Sequence, residues 1–177
     1  IRLGQPDDER MTMTQSDTTQ TNSPTNHETR LAGKTAVVAA GAKNLGGLIS
    51  TRLAGLGADV AVHYNSDSSR ADAEKTQAAI AELGTKAILV QGDLTVPANV
   101  TTLFDQAVDA FGGVDIAINT VGKVLRKPIV ETTEDEYDDM FAINSKAAFF
   151  FLQEAGKRCN DDACLLYTSP SPRDRTR

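Results

Sequence analysis

The sequence predicts a doubly wound α/β fold, in which helices cover both faces of a parallel β-sheet. Apolar segments of strand length alternate with segments of helical periodicity, and the connections between them are short. The first apolar segment is also a continuous run, as expected for a strand buried on both faces. Such alternation implies right-handed βαβ crossovers, and these produce a parallel sheet.

Four strands are predicted in the part of the chain that begins near Lys34. The first has the sequence TAVVAA, and the others read DVAVHY, KAILVQ and VDIAIN. Each is short, apolar and followed by a turn with polar or small residues, which is typical of strands in a parallel sheet. The predicted strands cover residues 35–40, 59–64, 86–91 and 114–119.

Segments with helical spacing of apolar residues separate these strands. Leucine and isoleucine recur at that spacing over residues 45–56, and a second helix is predicted to end at Gly84. The third, over residues 100–111, follows the i, i+3, i+4, i+7 pattern of an amphipathic helix. A longer helix is predicted from about Glu134 to Lys157.

Length, charge and cysteine usage limit the classes of function. The 177 residues suit one domain, and the net charge of −6 argues against a nucleic-acid-binding surface. No apolar stretch is long enough to span a bilayer, and no segment has the order of a signal peptide. Cys159 and Cys164 lack metal-ligand spacing, so we predict no metal site and a cytoplasmic location.

Both ends of the chain are unusual. Met11 and Met13 are candidate start residues, and residues 1–30 are interpreted as a disordered or non-native segment because they are almost entirely polar. The stretch CLLYTSPSPRD resembles the translation of a sequencing-library adapter, although a natural Ser/Pro-rich tail is the alternative. We therefore predict a non-native tail at 163–177 and a truncated domain at 31–162, whose sheet lacks its later strands.

Five short stretches carry candidate chemistry, because ligands of open α/β sheets bind at the carboxyl ends of the strands. Each alone also fits an ordinary structural role, such as a tight turn, a helix cap or a mid-helix asparagine. The stretches are AAGAKNLG (39–46), HYNS (63–66), GDLT (92–95), NTVG (119–122) and FAINSKAAFF (141–150). Their joint occurrence in this order is more specific than any one of them, and over residues 31–162 it resembles the classical short-chain dehydrogenase/reductase family.

The first stretch departs from the family's Thr-Gly-x-x-x-Gly-x-Gly turn. One alignment places the first glycine at Gly41 and the last at Gly47. The preferred alignment places the family's threonine and first glycine at Ala39 and Ala40, and its second glycine at Asn44. Asn tolerates left-handed backbone better than other non-glycine residues, so Asn44 is a suitable replacement. Ala40 is the departure that most needs an explanation.

The resemblance implies a Rossmann fold that binds a nicotinamide dinucleotide. The first turn would bind the phosphates, because the N–H groups and the dipole at the start of a helix favour anions. The candidate residues for this part of the site are Gly41, Lys43, Asn44, Leu45 and Gly46.

The end of the second strand bears on the choice of cofactor. An NAD site of this fold usually has Asp or Glu there, whereas this chain has His63, Asn65 and Ser66. These residues, with Lys43 across the turn, suit a 2′-phosphate. We therefore predict that NADP(H) is favoured over NAD(H), although Asp67 lies nearby. The alternative is that His63 is a hydrogen-bonded strand-end histidine and that the serines cap a helix.

The next two stretches would complete the dinucleotide site. The resemblance implies that Asp93 accepts a hydrogen bond from the adenine amine and that the backbone at Leu94 assists, although Asp93 could instead cap the next helix. Asn119 would brace the sheet. Val121 and Gly122 would allow the cofactor to approach the backbone closely.

The last stretch gives the only catalytic candidate in the chain. The resemblance places the family's catalytic asparagine at Asn144, where it would hold a water of the proton relay. The serine, tyrosine and lysine of that chemistry follow the fifth strand, and Tyr167 has Ser171 rather than lysine four residues on. The apolar run 149–152 suits burial against a partner helix, and the family commonly dimerises through this element.

These observations predict an NADP(H)-dependent oxidoreductase that transfers a hydride between the nicotinamide and a small carbonyl or alcohol substrate. This chain is expected to be inactive, and the complete protein to be a homodimer or homotetramer without nucleic-acid or membrane partners. A non-catalytic dinucleotide sensor or scaffold on the same fold is the alternative. A flavodoxin-like nucleotide-binding module is a third.

Overall fold

The computed structural model describes residues 30–167. The predictions for residues 1–29 and 168–177 therefore lie outside the described residues. Within the described part, no helix is both long and apolar enough to cross a membrane.

Five strands and five helices alternate along the described chain. The strands are β1 (Thr35–Ala39), β2 (Asp59–Tyr64), β3 (Ala87–Gln91), β4 (Val114–Asn119) and β5 (Cys159–Tyr167). The helices are α1 (Asn44–Gly55), α2 (Arg70–Glu82), α3 (Pro97–Phe111), α4 (Glu134–Phe141) and α5 (Ala147–Arg158). A π-helical turn, Ala142–Lys146, joins α4 to α5, and 3₁₀ turns cover Asp67–Ser69 and Ile129–Glu131.

All strand pairs are parallel, and the strand order is β3-β2-β1-β4-β5. The order reverses between β1 and β4, so the carboxyl ends of these strands flank the crevice where ligands of this fold bind. The predicted doubly wound parallel sheet is thus confirmed. The bounds predicted for β2 and β4 agree with the structure, and those of β1 and β3 differ by one residue.

Two hydrophobic cores lie against the sheet. One joins β1 and β4 to α3 and α5, and in it the rings of Phe104 and Phe151 are 5.1 Å apart, so two helices pack on each other and on the strands. The other joins β1 and β2 to α1 and α2 through small and β-branched residues and the fully buried Ile80. Since both faces are covered, the central residues of β1 and β2 are apolar and buried.

The most buried residues of helix α1 are small ones rather than the leucines at its start. Leu45 and Leu48 are 56% and 68% exposed, whereas Gly46, Ser50 and Ala54 are buried. The small residues let the helix approach the sheet closely, and the two leucines lie on the outer side. The apolar spacing therefore predicted the helix correctly, and two of its residues, Ile49 and Leu53, pack against the core.

The C-terminal part of the sheet also differs from the prediction. The sheet was expected to lack a fifth strand, but Cys159–Tyr167 pairs with β4, with an irregularity between the pairs Val114–Cys159 and Ile116–Cys164. The predicted boundary after residue 162 therefore falls inside a strand. The non-native origin of residues 163–177 remains a prediction.

Candidate functional site

A cleft of about 510 Å³ opens at the carboxyl ends of the first four strands. That volume is in the range of small-molecule and cofactor sites. Its walls come from the β1–α1 turn, the ends of β2 and β3, the loop after β4, and the start of the π-helical turn. The lining residues are Ala40, Lys43, Asn44, Leu45, Gly46, His63, Asn65, Asp93, Leu94, Thr95, Thr120, Val121, Gly122, Asp139, Ala142 and Ile143.

Ten of the fourteen predicted site residues line this cleft. The other four, Gly41, Ser66, Asn119 and Asn144, lie next to it in sequence or support its walls, as described below. The five lining residues that the sequence did not single out are Thr95, Thr120, Asp139, Ala142 and Ile143.

The β1–α1 turn has an unusual backbone. Ala40 has a φ of 56° and Asn44 a φ of 51°, both in the left-handed region that most side chains avoid. Asn44 thus has the conformation for which an asparagine is a suitable replacement for glycine. Ala40 adopts the same conformation with a Cβ, so its departure from the glycine pattern has a cost in backbone strain.

Close backbone contacts explain the glycines of this turn. A Cβ on Gly46 would lie 2.0 Å from the carbonyl oxygen of Ala40, and one on Gly41 would lie 2.7 Å from that of Val38. Ser50 at the buried face of α1 donates to the Gly41 carbonyl at 3.0 Å. The turn is therefore compact, and it brings the start of α1, whose first N–H groups have no partner within the helix, to the cleft.

Lys43 is the cation of this turn. It precedes the first residue of α1, lines the cleft, and lies 3.4 Å from the carboxylate of Asp72 on α2. Both side chains are about half exposed, at 50% and 47%, so the pair can exchange partners at little cost. An anion in the cleft could therefore compete with Asp72 for this ammonium group.

The end of β2 presents residues with different roles. Asn65 lines the cleft, whereas the Ser66 hydroxyl lies 3.0 Å from that of Ser68 and does not line it. His63 is only 2% exposed. Its Nδ1 accepts a hydrogen bond from the Ala40 N–H at 3.0 Å, and its Nε2 lies 2.7 Å from the Gly92 carbonyl. Both ring nitrogens therefore have backbone partners, as expected for a hydrogen-bonded strand-end histidine.

The loop after β3 is fixed by its own hydrogen bonds. One carboxylate oxygen of Asp93 accepts from the backbone N–H and the hydroxyl of Thr95, at 2.9 and 2.8 Å. The Asn99 amide donates to the Asp93 carbonyl at 2.9 Å. Asp93 therefore organises the turn that leads into α3, and its assignment to an adenine ring stays a prediction.

The residues after β4 brace the opposite wall. The buried Asn119 accepts from the Val121 N–H at 2.9 Å, and the Thr120 hydroxyl donates to the Ala39 carbonyl at 2.7 Å. Thr120 stands where the family has a second asparagine, and it ties β4 to β1 by a side-chain bond. This leaves the backbone at Val121 and Gly122 facing the cleft.

Asn144 lies in the middle of the π-helical turn. Its amide nitrogen donates to the carbonyls of Lys123 and Met140, at 2.9 and 3.0 Å, and its Oδ1 accepts from the Lys123 N–H at 2.9 Å. These bonds hold the loop after β4 against the helix. Such π turns are frequent at functional sites because they open the helical hydrogen-bond ladder. The relay role of Asn144 stays a prediction.

Among the described residues, no group of three or more His, Cys, Asp or Glu side chains is arranged to hold a metal ion. The titratable groups that line the cleft are few: Lys43, His63, Asp93 and Asp139. Burial is the main cause that lowers the pKa of His63, while the Gly92 carbonyl and the charge of Asp93 act in the opposite direction.

The parallel sheet, its strand order and the compact turn after β1 define a Rossmann-type α/β protein. Comparison with known proteins gives the family. The family described as enoyl-(acyl carrier protein) reductase matches residues 39–173. The chain therefore belongs to the short-chain dehydrogenase/reductase family, as the sequence motifs predicted.

Two relatives illustrate the similarity. The short-chain dehydrogenase/reductase AacuN of Aspergillus aculeatus is 37% identical over 139 residues, which are 78% of this chain and 52% of that protein. The short-chain dehydrogenase mdpC of Emericella nidulans is 36% identical over 140 residues, 79% of this chain and 52% of that protein. The chain thus spans about half the length of the curated relatives it matches.

Two solved structures are similar over most of this chain. A dehydrogenase from Burkholderia cenocepacia with bound NADP has 54% identity and a TM-score of 0.76, and the match covers 81% of this chain and 54% of that one. A short-chain dehydrogenase from Burkholderia cenocepacia J2315 in complex with NADP has 32% identity and a TM-score of 0.77. That match covers 84% of this chain and 60% of the other.

Proposed function

We propose that this chain is the dinucleotide-binding part of an NADP(H)-dependent oxidoreductase acting on a small carbonyl or alcohol substrate. One observation carries the proposal: four segments that are far apart in sequence form a single cleft at the reversal of strand order. Two similar structures, with 54% and 32% identity, were solved with NADP, which supports the same class of cofactor here.

The residues present fit such a cofactor. The start of α1 lines the cleft, and the N–H groups and the dipole at the start of a helix favour the phosphates of such a cofactor. The close contact of Gly46 with Ala40 leaves no room for a side chain at that position. Lys43, Asn65 and the loop at Asp93 would contact the adenosine part. Val121 and Gly122 would lie along the remainder of the cofactor.

When bound, the nicotinamide would supply or accept the hydride. The chain's own residues would bind and orient the cofactor. Asn144 holds Lys123, the first residue after the Val121–Gly122 backbone, in place. The family's chemistry also needs a tyrosine with a lysine four residues on, and this chain has Ser171 at that distance from Tyr167. We therefore propose that this chain binds the cofactor but does not turn over substrate.

The preference for NADP(H) rests on Lys43 and on the lack of a carboxylate at the end of β2. The test is a titration of the chain with NADPH and NADH, with Lys43→Ala compared to the wild type. We expect the wild type to bind NADPH more tightly than NADH. In the Lys43→Ala variant the ratio of the two affinities should fall by about fivefold, as for the loss of a partly exposed charge pair. Lys86→Ala is the control, because exposed Lys86 precedes β3 at the opposite end of the sheet. Equal wild-type affinities would refute the preference.

The second candidate function is a non-catalytic dinucleotide sensor or scaffold, which the fold alone does not separate from the enzyme. The gene's downstream reading frame separates the two. A serine followed by a tyrosine and lysine four apart, with NADPH oxidation in the presence of a carbonyl substrate, supports the enzyme. Cofactor binding without those residues supports the sensor.

We also propose that the complete protein forms a homodimer or homotetramer through α4 and α5. An apolar groove on this face contains Phe141 and Phe149, which are 51% and 60% exposed, and the partly buried Phe150. A second copy of the same face would cover these rings. Sedimentation should show an assembly that Phe149→Lys dissociates. A monomeric wild type would refute this proposal.

A further inference from the structure

His63 is a buried imidazole whose two nitrogens contact two different loops. The ring is 2% exposed and lies on β2, between the β1–α1 turn and the loop after β3. Nδ1 is 3.0 Å from the Ala40 N–H, and Nε2 is 2.7 Å from the Gly92 carbonyl. An N–H group only donates and a carbonyl only accepts, so the ring is neutral with its proton on Nε2.

The contact at Ala40 is made where the backbone is strained. Ala40 has a φ of 56°. Its carbonyl oxygen lies only 2.0 Å from the position that a Cβ on Gly46 would occupy. The backbone at Ala40 therefore sets how closely the turn lies over the start of α1. The hydrogen bond to His63 fixes the peptide group between Ala39 and Ala40, which immediately precedes that carbonyl, because a partly buried N–H without an acceptor is unfavourable.

The contact at Gly92 fixes the neighbouring loop. Gly92 lies just before Asp93, whose carboxylate holds Thr95. A Cβ on Gly92 would lie 3.0 Å from the side chain of Asn99, so this backbone is also closely packed. One imidazole therefore connects the turn at Ala40 with the loop at Asp93, on two walls of the same cleft.

We propose that His63 is a positioning residue for the cofactor site: its neutral ring fixes the distance between the β1–α1 turn and the loop after β3. The proposal rests on the proposed binding of a dinucleotide in this cleft. It predicts that affinity depends on the acceptor at Nδ1 and the donor at Nε2, although neither nitrogen contacts the cofactor.

A consequence is that acid should weaken binding. A proton on Nδ1 would point at the Ala40 N–H and abolish that hydrogen bond. Burial holds the pKa of His63 below its usual range, so the neutral form persists at neutral pH and is lost only on the acidic side. The other charged groups around the cleft are Asp93, which favours the proton, and Lys43 and Asp139 on the remaining walls.

The test compares wild type, His63→Phe and His63→Gln by titration with NADPH from pH 7.5 to 5.5. At pH 7.5 the Phe variant should bind about tenfold more weakly, the effect of one lost hydrogen bond at a buried N–H. The Gln variant, which can both donate and accept, should recover part of that loss. Wild-type affinity should fall with acid more steeply than that of the Gln variant, and titration of the ligand itself is common to both.

Tyr64→Phe is the matched control, because it changes the next buried residue of β2 and removes a bond to Gln91 outside the cleft. It should keep wild-type affinity and pH dependence. The Gln variant is also compared with wild type at pH 7.5, where it should bind NADPH more weakly because its amide cannot keep both bonds at the spacing of the ring. Wild-type affinity at pH 7.5 in a folded Phe variant, or in the Gln variant where the Phe variant does not fold, would overturn the role of His63. A wild type that binds no nicotinamide dinucleotide would instead overturn the proposed function.

Discussion

The two sides of the cleft are held in place by different kinds of contact. On the β1 side, the buried side chains His63 and Ser50 bond to the backbone of the turn, and glycines allow close packing. On the β4 side, Asn119 and Thr120 fix the strand end, but the loop that follows is held by Asn144 and by exposed or partly exposed ion pairs, Lys123–Asp139 and Lys127–Glu136.

This difference indicates which side tolerates change. Buried side-chain-to-backbone bonds are costly to break, because the partner left behind loses its hydrogen bond in a dry environment. Exposed ion pairs contribute little and are screened by salt. The β1 side therefore has a shape fixed by the core, whereas the β4 side can adjust. Substitutions on the two sides should differ accordingly.

The largest effect should come from Gly46→Ala on the β1 side. The new Cβ would lie 2.0 Å from the Ala40 carbonyl oxygen, so the turn must move. We expect a loss of about 2–3 kcal/mol in the free energy of unfolding, as for overpacked sites, and no measurable NADPH binding. Urea denaturation and a binding titration check this.

Gly55→Ala on the same helix is the control for that change. A Cβ there would approach only the Leu83 side chain, at 3.9 Å, so stability and affinity should stay near wild type. If both variants behaved alike, the close contact at Gly46 would not control the shape of the turn. The comparison between the two sides of the cleft would then fail.

Asn144→Ala should have an intermediate effect on the β4 side. It removes both bonds to the Lys123 backbone, in a loop that water can partly reach. We expect a loss of about 1–2 kcal/mol in stability. Amide exchange at Lys123 should accelerate while exchange within β1 is unchanged. Asn144→Asp keeps the acceptor for the Lys123 N–H and should slow that exchange again; equal exchange in both variants would exclude this bond as the cause.

The smallest effect should come from Ala40→Gly, and it should be favourable. An alanine at a φ of 56° has a strain that glycine lacks, while glycine gains entropy in the unfolded chain. The net gain should be about 0.5–1 kcal/mol in the free energy of unfolding. Chemical denaturation measures it. A destabilised variant would mean that the methyl group of Ala40 makes a packing contact worth more than the strain.

The sequence was sufficient for the scaffold, because buried parallel strands and amphipathic helices leave strong periodic signals. The bounds of β2 and β4 and the existence of α1 to α3 followed from those signals alone. Ten of the fourteen residues that the family motifs singled out line the cleft, and their binding roles stay predictions. The leucine spacing indicated a helix at α1 but not that small residues form its most buried positions.

Other features depend on tertiary contacts without a local signal. The π-helical turn at Asn144 was predicted as ordinary helix, because its i→i+5 bonding depends on the loop that it contacts. Asp139 on α4 and Ile143 in the π-helical turn line the cleft, and no local pattern indicated this. The two bonds of His63 join residues 23 and 29 positions away, which no local pattern specifies.

The bond between Thr120 and Ala39 spans 81 residues, and the pairing of β1 with β4 spans a similar separation. Closing so long a loop costs entropy before any contact compensates, and pairings of this kind slow folding. The pairings of β1 with β2 and of β2 with β3 join residues that are closer in sequence, so they should form earlier. The cleft, which needs β4 beside β1, would then be completed only with this late pairing, so a ligand that binds the finished cleft should slow unfolding.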